Sequence, residues 1–475
     1  MRRIVFIWML AGAVMMTRHV PVFGQEPDLK QDPASRQEQI FGQEPAPGQK
    51  PTFRQVDSIT YQLYLEEAWQ DLVREGKAAL ENGFDYYYLQ MRIAYAYYAL
   101  GKYRRAAQYY KNALGHNSRD LIANEYLYYA YKFGGRSHDA LRQTRALSAT
   151  QKSAMNINDS ISFIAFGLNY AWAGANTAAI QDNIVSNTDL LNPGTQKATR
   201  AMHYAGATFS HRLGTALVLS HQGSYLYKNE LSYVITNNRA FLSEEQPVQQ
   251  YEYSLDADIL VAEGLVIRPG IHYLNTAIPL YAETSYGQGS GINSTAVSKL
   301  TIIDWVQKLQ VAYQSCYADV GLSWVHHNFN DINTHQAGFH GTFYPMANLN
   351  LYLGLDAYMQ LATFNNEQSV NLLFRPLLGG KIFNNLWLEV AGAPMEQFNF
   401  YDIRNKFAFN NLEKIAWSME ANAIVPVYRA GMQLFFGYRF RSVNSMFFPT
   451  QDLLHPFNQQ NYQSHIITGG IIWKC

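Results

Sequence analysis

From about Asn158 to the C-terminus, apolar and polar residues alternate with a period of two. That is the pattern of strands with one face towards an apolar medium and one towards a polar one. The longest stretch places Leu349, Leu351, Leu353, Leu355, Ala357, Met359 and Leu361 on one face. Asn350, Tyr352, Gly354, Asp356, Tyr358 and Gln360 occupy the other. Met432–Arg441 repeats the pattern, and Tyr251–Val261 carries Glu252, Ser254, Asp256 and Asp258 on its polar face. Ile415–Val425 sets Ile415, Trp417, Met419, Ala421 and Ala423 against Ser418, Glu420 and Asn422. About fourteen strands are predicted, near 159–172, 199–212, 214–227, 249–262, 264–275, 305–316, 317–328, 333–345, 348–364, 367–382, 386–393, 413–427, 429–441 and 461–474. Short connections (Leu213–Gly214, Glu263–Gly264, Cys316, Met346–Ala347, Asn384–Asn385, Tyr428) alternate with longer ones, the longest at 173–198, 228–248, 276–304, 394–412 and 442–460. A soluble sandwich also alternates along its strands. The rhythm of short turns and long loops instead predicts a transmembrane antiparallel β-barrel over 159–475, set in the cell outer membrane.

Upstream, over 58–152, the apolar period becomes helical and repeats every 34 residues. Ile93, Ala94, Tyr97, Gly101, Tyr103, Ala106, Tyr110 and Ala113 recur one period later as Leu127, Tyr128, Tyr131, Gly135, Ser137, Ala140, Thr144 and Leu147. One period earlier only Trp69, Leu72, Ala79 and Leu80 fit. Small residues let paired helices approach closely, and Gly101 and Gly135 end the first helix of each pair. These positions resemble the tetratricopeptide-repeat family. The resemblance implies a groove lined by Tyr88, Met91, Tyr95, Tyr98, Ile122, Glu125, Tyr129 and Lys132, which would bind a peptide or a sugar. The alternative is that the tyrosines pack against a neighbouring helix or the barrel rim. The whole fold is then α+β multidomain, a helical module followed by a barrel.

Residues 1–24 read as a secretory signal peptide, with Arg2 and Arg3, an apolar run from Ile4 to Met16, and a cleavage site at Val22–Gly24. No cysteine follows the run, so a lipoprotein is not expected. Residues 25–57 form a flexible Gln/Pro-rich linker in which Phe-Gly-Gln-Glu-Pro occurs at Phe23–Pro27 and again at Phe41–Pro45.

Composition sharpens this picture. Lys+Arg and Asp+Glu are 37 each, so the chain is neutral and unsuited to nucleic acid. Charged residues are 16%, against about 25% in soluble domains, while aromatics reach 14%. Past the leader no apolar run approaches the ~18 residues of a membrane helix. The expected lumen carries Glu252, Asp256, Asp258, Lys308, Asp319, Asp356, Glu420, Arg439 and Arg441. Charges of both signs cross-pair and occlude such a lumen, with Arg439 and Arg441 facing Asp256 or Glu420. His326–His327, His335 and His340 lack Cys or Glu at ligand spacing, so no metal is expected. Ser210 and His211 are adjacent and face opposite ways, and Gly287–Gly291 has no following helix to cradle phosphate. No enzyme and no cofactor are expected. Cys316 and Cys475 fall on opposite sides of the barrel circumference and should not pair.

The domain order resembles the tetratricopeptide-porins that export exopolysaccharide. That resemblance implies periplasmic repeats docking assembly enzymes and a barrel conducting polymer. The repeat array is shorter than in those exporters, and the strands fewer. Two other readings remain open: an anchored scaffold that recruits a periplasmic protein, and a diffusion channel for small solutes with the helical module as its plug. The expected partners are outer-membrane lipid and a periplasmic protein or polysaccharide.

Overall fold

The computed structural model describes residues 51–157, 163–176, 193–236, 239–283, 294–427 and 431–474. The expected signal peptide, most of the expected linker, Gly287–Gly291 and Cys475 lie outside them.

Six helices pack consecutively: α1 Phe53–Leu65, α2 Trp69–Glu81, α3 Tyr87–Ala99, α4 Tyr103–His116, α5 Leu121–Phe133 and α6 Ser137–Gln143. The first helices of the pairs start at Phe53, Tyr87 and Leu121, and the second helices at Trp69, Tyr103 and Ser137, each 34 residues apart. The earliest pair, faint in sequence, thus keeps the full period. It begins inside the segment expected to be linker, because Thr52 and Gln55 form a capping box that starts α1. Leu72, Leu89, Ile93, Ala94, Ala106, Tyr110, Ala113 and Ala130 are fully buried between the helices. Gly101 and Gly135 take φ of 68° and 75°, left-handed values that end α3 and α5 without a Cβ penalty. A short helix, α7 (Ala149–Ala154), carries its own capping box from Ser148 and Gln151.

The barrel comprises β1 Phe163–Ala175, β2 Gly194–Leu213, β3 Leu217–Thr236, β4 Arg239–Ala262, β5 Leu265–Glu283, β6 Ser294–Gln314, β7 Ala318–His327, β8 Asn333–Phe343, β9 Leu351–Phe364, β10 Glu367–Phe383 and β11 Leu386–Ala393. After a small internal hairpin, β12 Phe400–Asp402 and β13 Phe407–Phe409, it is completed by β14 Lys414–Val427, β15 Met432–Pro449 and β16 Phe457–Lys474. Fourteen strands, all but the internal hairpin, form one closed antiparallel sheet in which β1 pairs with β16. Closure leaves no sheet edge, which a lipid environment requires. On β9, Leu353, Leu355 and Met359 are exposed while Asp356, Tyr358 and Gln360 are buried inside. On β4, Tyr251 and Tyr253 face out, and Glu252, Ser254 and Asp256 face in. An apolar, aromatic exterior around a polar interior is the outer-membrane β-barrel fold.

Two expectations are corrected. Ile415 is buried, not on the outer face, because a bulge between Ile415 and Trp417 shifts the register by one residue. Much of the expected loops 228–248, 276–304 and 442–460 is strand, so β3–β6 run 19 to 24 residues. A membrane strand needs only about 9–11. In the extended part of β3, Lys228–Glu230 are polar in succession and Tyr233–Ile235 apolar in succession, so the period-two contrast that marks a strand fades from the sequence.

Candidate functional site

The connection from β11 to β14, expected as an outer loop over 394–412, folds into the barrel instead. Its hairpin pairs Phe400 with Phe409 and Asp402 with Phe407. Asp402 Oδ1 accepts the backbone N–H groups of Arg404 and Asn405 at 3.1 Å each, which closes the tip. The hairpin enters from the long-loop end, so its tip points towards the short turns. Tyr401 is wholly buried at its centre.

A buried hairpin must satisfy its backbone away from water. Wall amides do this. Gln336 Nε2 donates to Tyr401 O at 2.9 Å and its Oε1 accepts from Tyr401 N at 3.3 Å. Gln360 Nε2 donates to Phe398 O and Asn399 O at 3.1 and 2.7 Å. Asn399 Nδ2 in turn donates to Phe329 O at 2.9 Å. Towards the long-loop end, Phe398 stacks on Phe448 with ring centroids 5.1 Å apart, beside Ile332.

Ion pairs hold the tip. Lys406 Nζ lies 2.6 Å from Asp256, which Lys308 also approaches at 2.8 Å. Arg404 lies 2.9 Å from Asp356, which also accepts from Arg375 at 3.1 Å and faces His340 Nδ1 at 3.0 Å. Arg375 bridges on to Glu420, which Arg439 Nε contacts at 2.7 Å. Asp258 pairs with Arg268 and lies 3.2 Å from His138, while Glu252 faces His272 at 3.3 Å. Between hairpin and wall lie two cavities, about 20 Å³ beside Arg375 and Glu420 and about 40 Å³ beside Glu230 and Asp304. Volumes of that size admit a water or two and no solute.

The structure therefore places Glu252, Asp256 and Lys308 in one lumenal cluster through Tyr401, Asp356, Glu420 and Arg439 in a second through Arg375, and Asp258 apart with Arg268. Two pairings differ from expectation. Arg441 meets no acid among the described residues and instead lies over the Phe409 ring, 4.7 Å from its centroid. Asp256 is occupied by lysines, one of them from the hairpin. Asp319 sits at the short-turn end, where Arg104 of the helical module reaches it.

No protein-family profile and no curated protein matches the chain. Among solved structures it is similar to a Pseudomonas aeruginosa FadL homologue at 7% identity, with a TM-score of 0.38 over 68% of this chain and 92% of that one. It is similar to the Pseudomonas putida toluene transporter TodX at 8% identity, with a TM-score of 0.37 over 67% of this chain and 91% of that one. Against the translocator domain of the autotransporter NalP from Neisseria meningitidis the identity is 9% and the TM-score 0.27, covering 72% and 98%.

The helical module is seated on three successive short turns. Arg104, whose side chain is wholly buried, donates to Gly134 O at 2.7 Å, to Ser315 O at 3.0 Å and to both Asp319 carboxylate oxygens at 2.7 and 3.1 Å. Its guanidinium stacks on the Tyr344 ring at 3.7 Å. On the neighbouring turn, Glu263 gathers Lys111 at 2.6 Å, Arg136 at 3.1 Å and Tyr131 OH at 3.0 Å. Burial opposes the ionised Glu263, but these partners outweigh it and hold its carboxyl below the ordinary value. Burial and the facing Glu263 push the Tyr131 phenol up.

On the expected groove, Tyr88 and Lys132 are exposed, and Ile122 and Glu125 half-buried. Tyr95 packs edge-on against Tyr64, Trp69 and Tyr126, with centroids 5.4 to 5.7 Å apart. Tyr98 meets Tyr126, and Tyr129 stacks on Phe133. Met91 is not on this face; it is buried in the helical core. The histidines singled out in the sequence do not converge. His326 stacks with His335, His327 is buried against Phe329, and His340 joins the lumenal cluster at Asp356.

Sequence reasoning missed the hairpin, Arg375, Arg404 and Lys406. A signal was present: 394–412 holds Phe398, Phe400, Tyr401, Phe407 and Phe409, too many aromatics for a solvated loop.

Proposed function

We propose that this protein is an outer-membrane channel for small solutes, shut at rest by its own inward-folded hairpin. The carrying observation is that hairpin in a barrel of fourteen strands. A barrel of about eight strands is filled by its own side chains, and wider ones enclose space. A simple anchor has no need of a wall this wide that must then be plugged. The hairpin tip, moreover, is held to the wall by ion pairs and amide hydrogen bonds. Such contacts exchange with water far more readily than a packed apolar core. Passage of a polymer such as exopolysaccharide would require the whole hairpin to leave, so polymer export fits this interior less well.

The test is flux from proteoliposomes. Protein in which 395–412 is replaced by a short Gly/Ser link should release mono- and disaccharides quickly while retaining a long dextran; intact protein should release both slowly. Equal, rapid release of dextran by the intact protein would refute the reading.

A second role is favoured by the seat of the helical module. Arg104 and Glu263 fix it to the rim, which supports a periplasmic platform of the tetratricopeptide type. Its aromatic face at Tyr95, Tyr98 and Tyr129 would dock a periplasmic protein while the barrel anchors the assembly.

A further inference from the structure

Three neighbouring strands place a serine, a histidine and an aspartate in one hydrogen-bonded line inside the barrel. Ser323 Oγ on β7 is 2.9 Å from His340 Nε2 on β8, and His340 Nδ1 is 3.0 Å from Asp356 Oδ1 on β9. The register builds this line. Gly338 stands opposite Ser323 and His340 opposite Asp356, so the imidazole lies directly across from the carboxylate and one lumenal step from the serine. An ionised carboxylate only accepts, so the imidazole proton sits on Nδ1. Nε2 is then the lone pair that takes the serine proton. That is the arrangement of an activated nucleophile, recognised by geometry and not by sequence order.

Burial is graded along the line. Asp356 is 0% exposed, Ser323 8% and His340 9%, so the whole line is buried, the carboxylate most deeply. Position 338 must be glycine for this line to form, since a Cβ there would lie 2.4 Å from Ser323 Oγ and 2.9 Å from the Tyr358 ring. The hairpin tip beside this line is exposed at Arg404 and Asn405. Gln310 stands opposite Ser323 on β6 and gives its Oε1 to Arg268 at 2.7 Å. Its amide nitrogen is left as a donor for an oxyanion.

We propose that Ser323 and His340, positioned by Asp356, hydrolyse a short-chain carboxylic ester that enters the lumen from the short-turn end. Ser323 Oγ bonds to the carbonyl carbon and passes its proton to His340 Nε2. The C–O bond to the alcohol then breaks, and the alcohol leaves with that proton. Water, deprotonated by the same imidazole, adds to the acyl-serine, releases the acid and restores the serine. Arg404 of the hairpin shares Asp356 Oδ1 with His340. The seated plug therefore competes with the imidazole for that oxygen, and loosening it leaves the oxygen to His340. The inference holds whether or not solutes cross the barrel.

Full-length protein, shown to be folded by heat-modifiable migration, is treated with a small fluorophosphonate, and the modified residue is mapped by mass spectrometry. Wild type and Arg404→Ala are compared with Ser323→Ala, His340→Gln and Asp356→Asn. Label is expected on Ser323 in wild type or Arg404→Ala, slowed about 100-fold or more by His340→Gln. Asp356→Asn, which keeps the shape of the side chain, should slow labelling of Ser323, and Asp356→Glu should restore part of the rate, a rescue that mere bracing of the wall would not produce. No label on Ser323 in either folded wild type or Arg404→Ala overturns the proposal. So does label whose rate is indifferent to His340→Gln, since the serine would then have no base.

Discussion

Arg104 joins the helical module to the barrel through one buried guanidinium, so its loss leaves Asp319 facing Tyr344 and Gln314 without its cation. Removing one partner of a buried pair typically costs about 3–5 kcal/mol. Arg104→Ala should therefore leave the barrel intact and loosen the module, which Glu263 still holds, seen as faster proteolysis between the module and β1. Glu263 gives the pH dependence. Its carboxyl is held below the ordinary value of 4.5, so its contribution to the mount is complete above that value and fades as pH falls through the lowered one. The mount should be constant from neutral pH to about 5 and loosen in stronger acid. In Glu263→Gln that acid-dependent loosening should shrink. Single-residue chemistry was only partly legible. Arg439 meets Glu420 across adjacent strands, where alternation places both. One partner of Asp256, Lys406, and the ring beneath Arg441, Phe409, come instead from a hairpin whose aromatics were its one mark in the sequence.

The hairpin is held by two amides as much as by its charges. Gln336 and Gln360 together make four hydrogen bonds to Phe398, Asn399 and Tyr401. At about 1 kcal/mol each, removing them shifts the seated population by roughly 1000-fold. In a Cys316→Ser, Cys475→Ser background, Ala408→Cys should resist maleimide, since Ala408 is 4% exposed. Adding Gln336→Leu and Gln360→Leu should make it react faster by about that factor, while the wall stays folded. The helices answer to a different test. Tyr95 lies among three other rings and Tyr129 at the margin, stacked on Phe133. Tyr129→Ala alone should abolish capture of a periplasmic partner without lowering the melting temperature of the module. Tyr95→Ala should cost about 1–3 kcal/mol of its stability. A loss of binding only in step with unfolding would return these tyrosines to the core. Strands and helices were legible because lipid and helix packing each impose a strict period. The upper wall was not, since there polar and apolar residues come in runs, as at Lys228–Glu230 and Tyr233–Ile235.

At the scale of the molecule, strand number and order follow from one demand, an apolar outer face at every second residue with no edge left unpaired. That demand is local and repeats fourteen times, so it is written in the sequence. Whether the enclosed space is open depends on one connection between β11 and β14, and on contacts that reach as far as Asp256 on β4. The central claim is that this connection closes the barrel. Single-channel recording in planar bilayers tests it most directly, with intact protein set against protein lacking 395–412. The account predicts a closed baseline with brief openings for the intact protein and a steady ohmic pore for the deletion. A large steady conductance from the intact protein, or a folded deletion that stays closed, would contradict it.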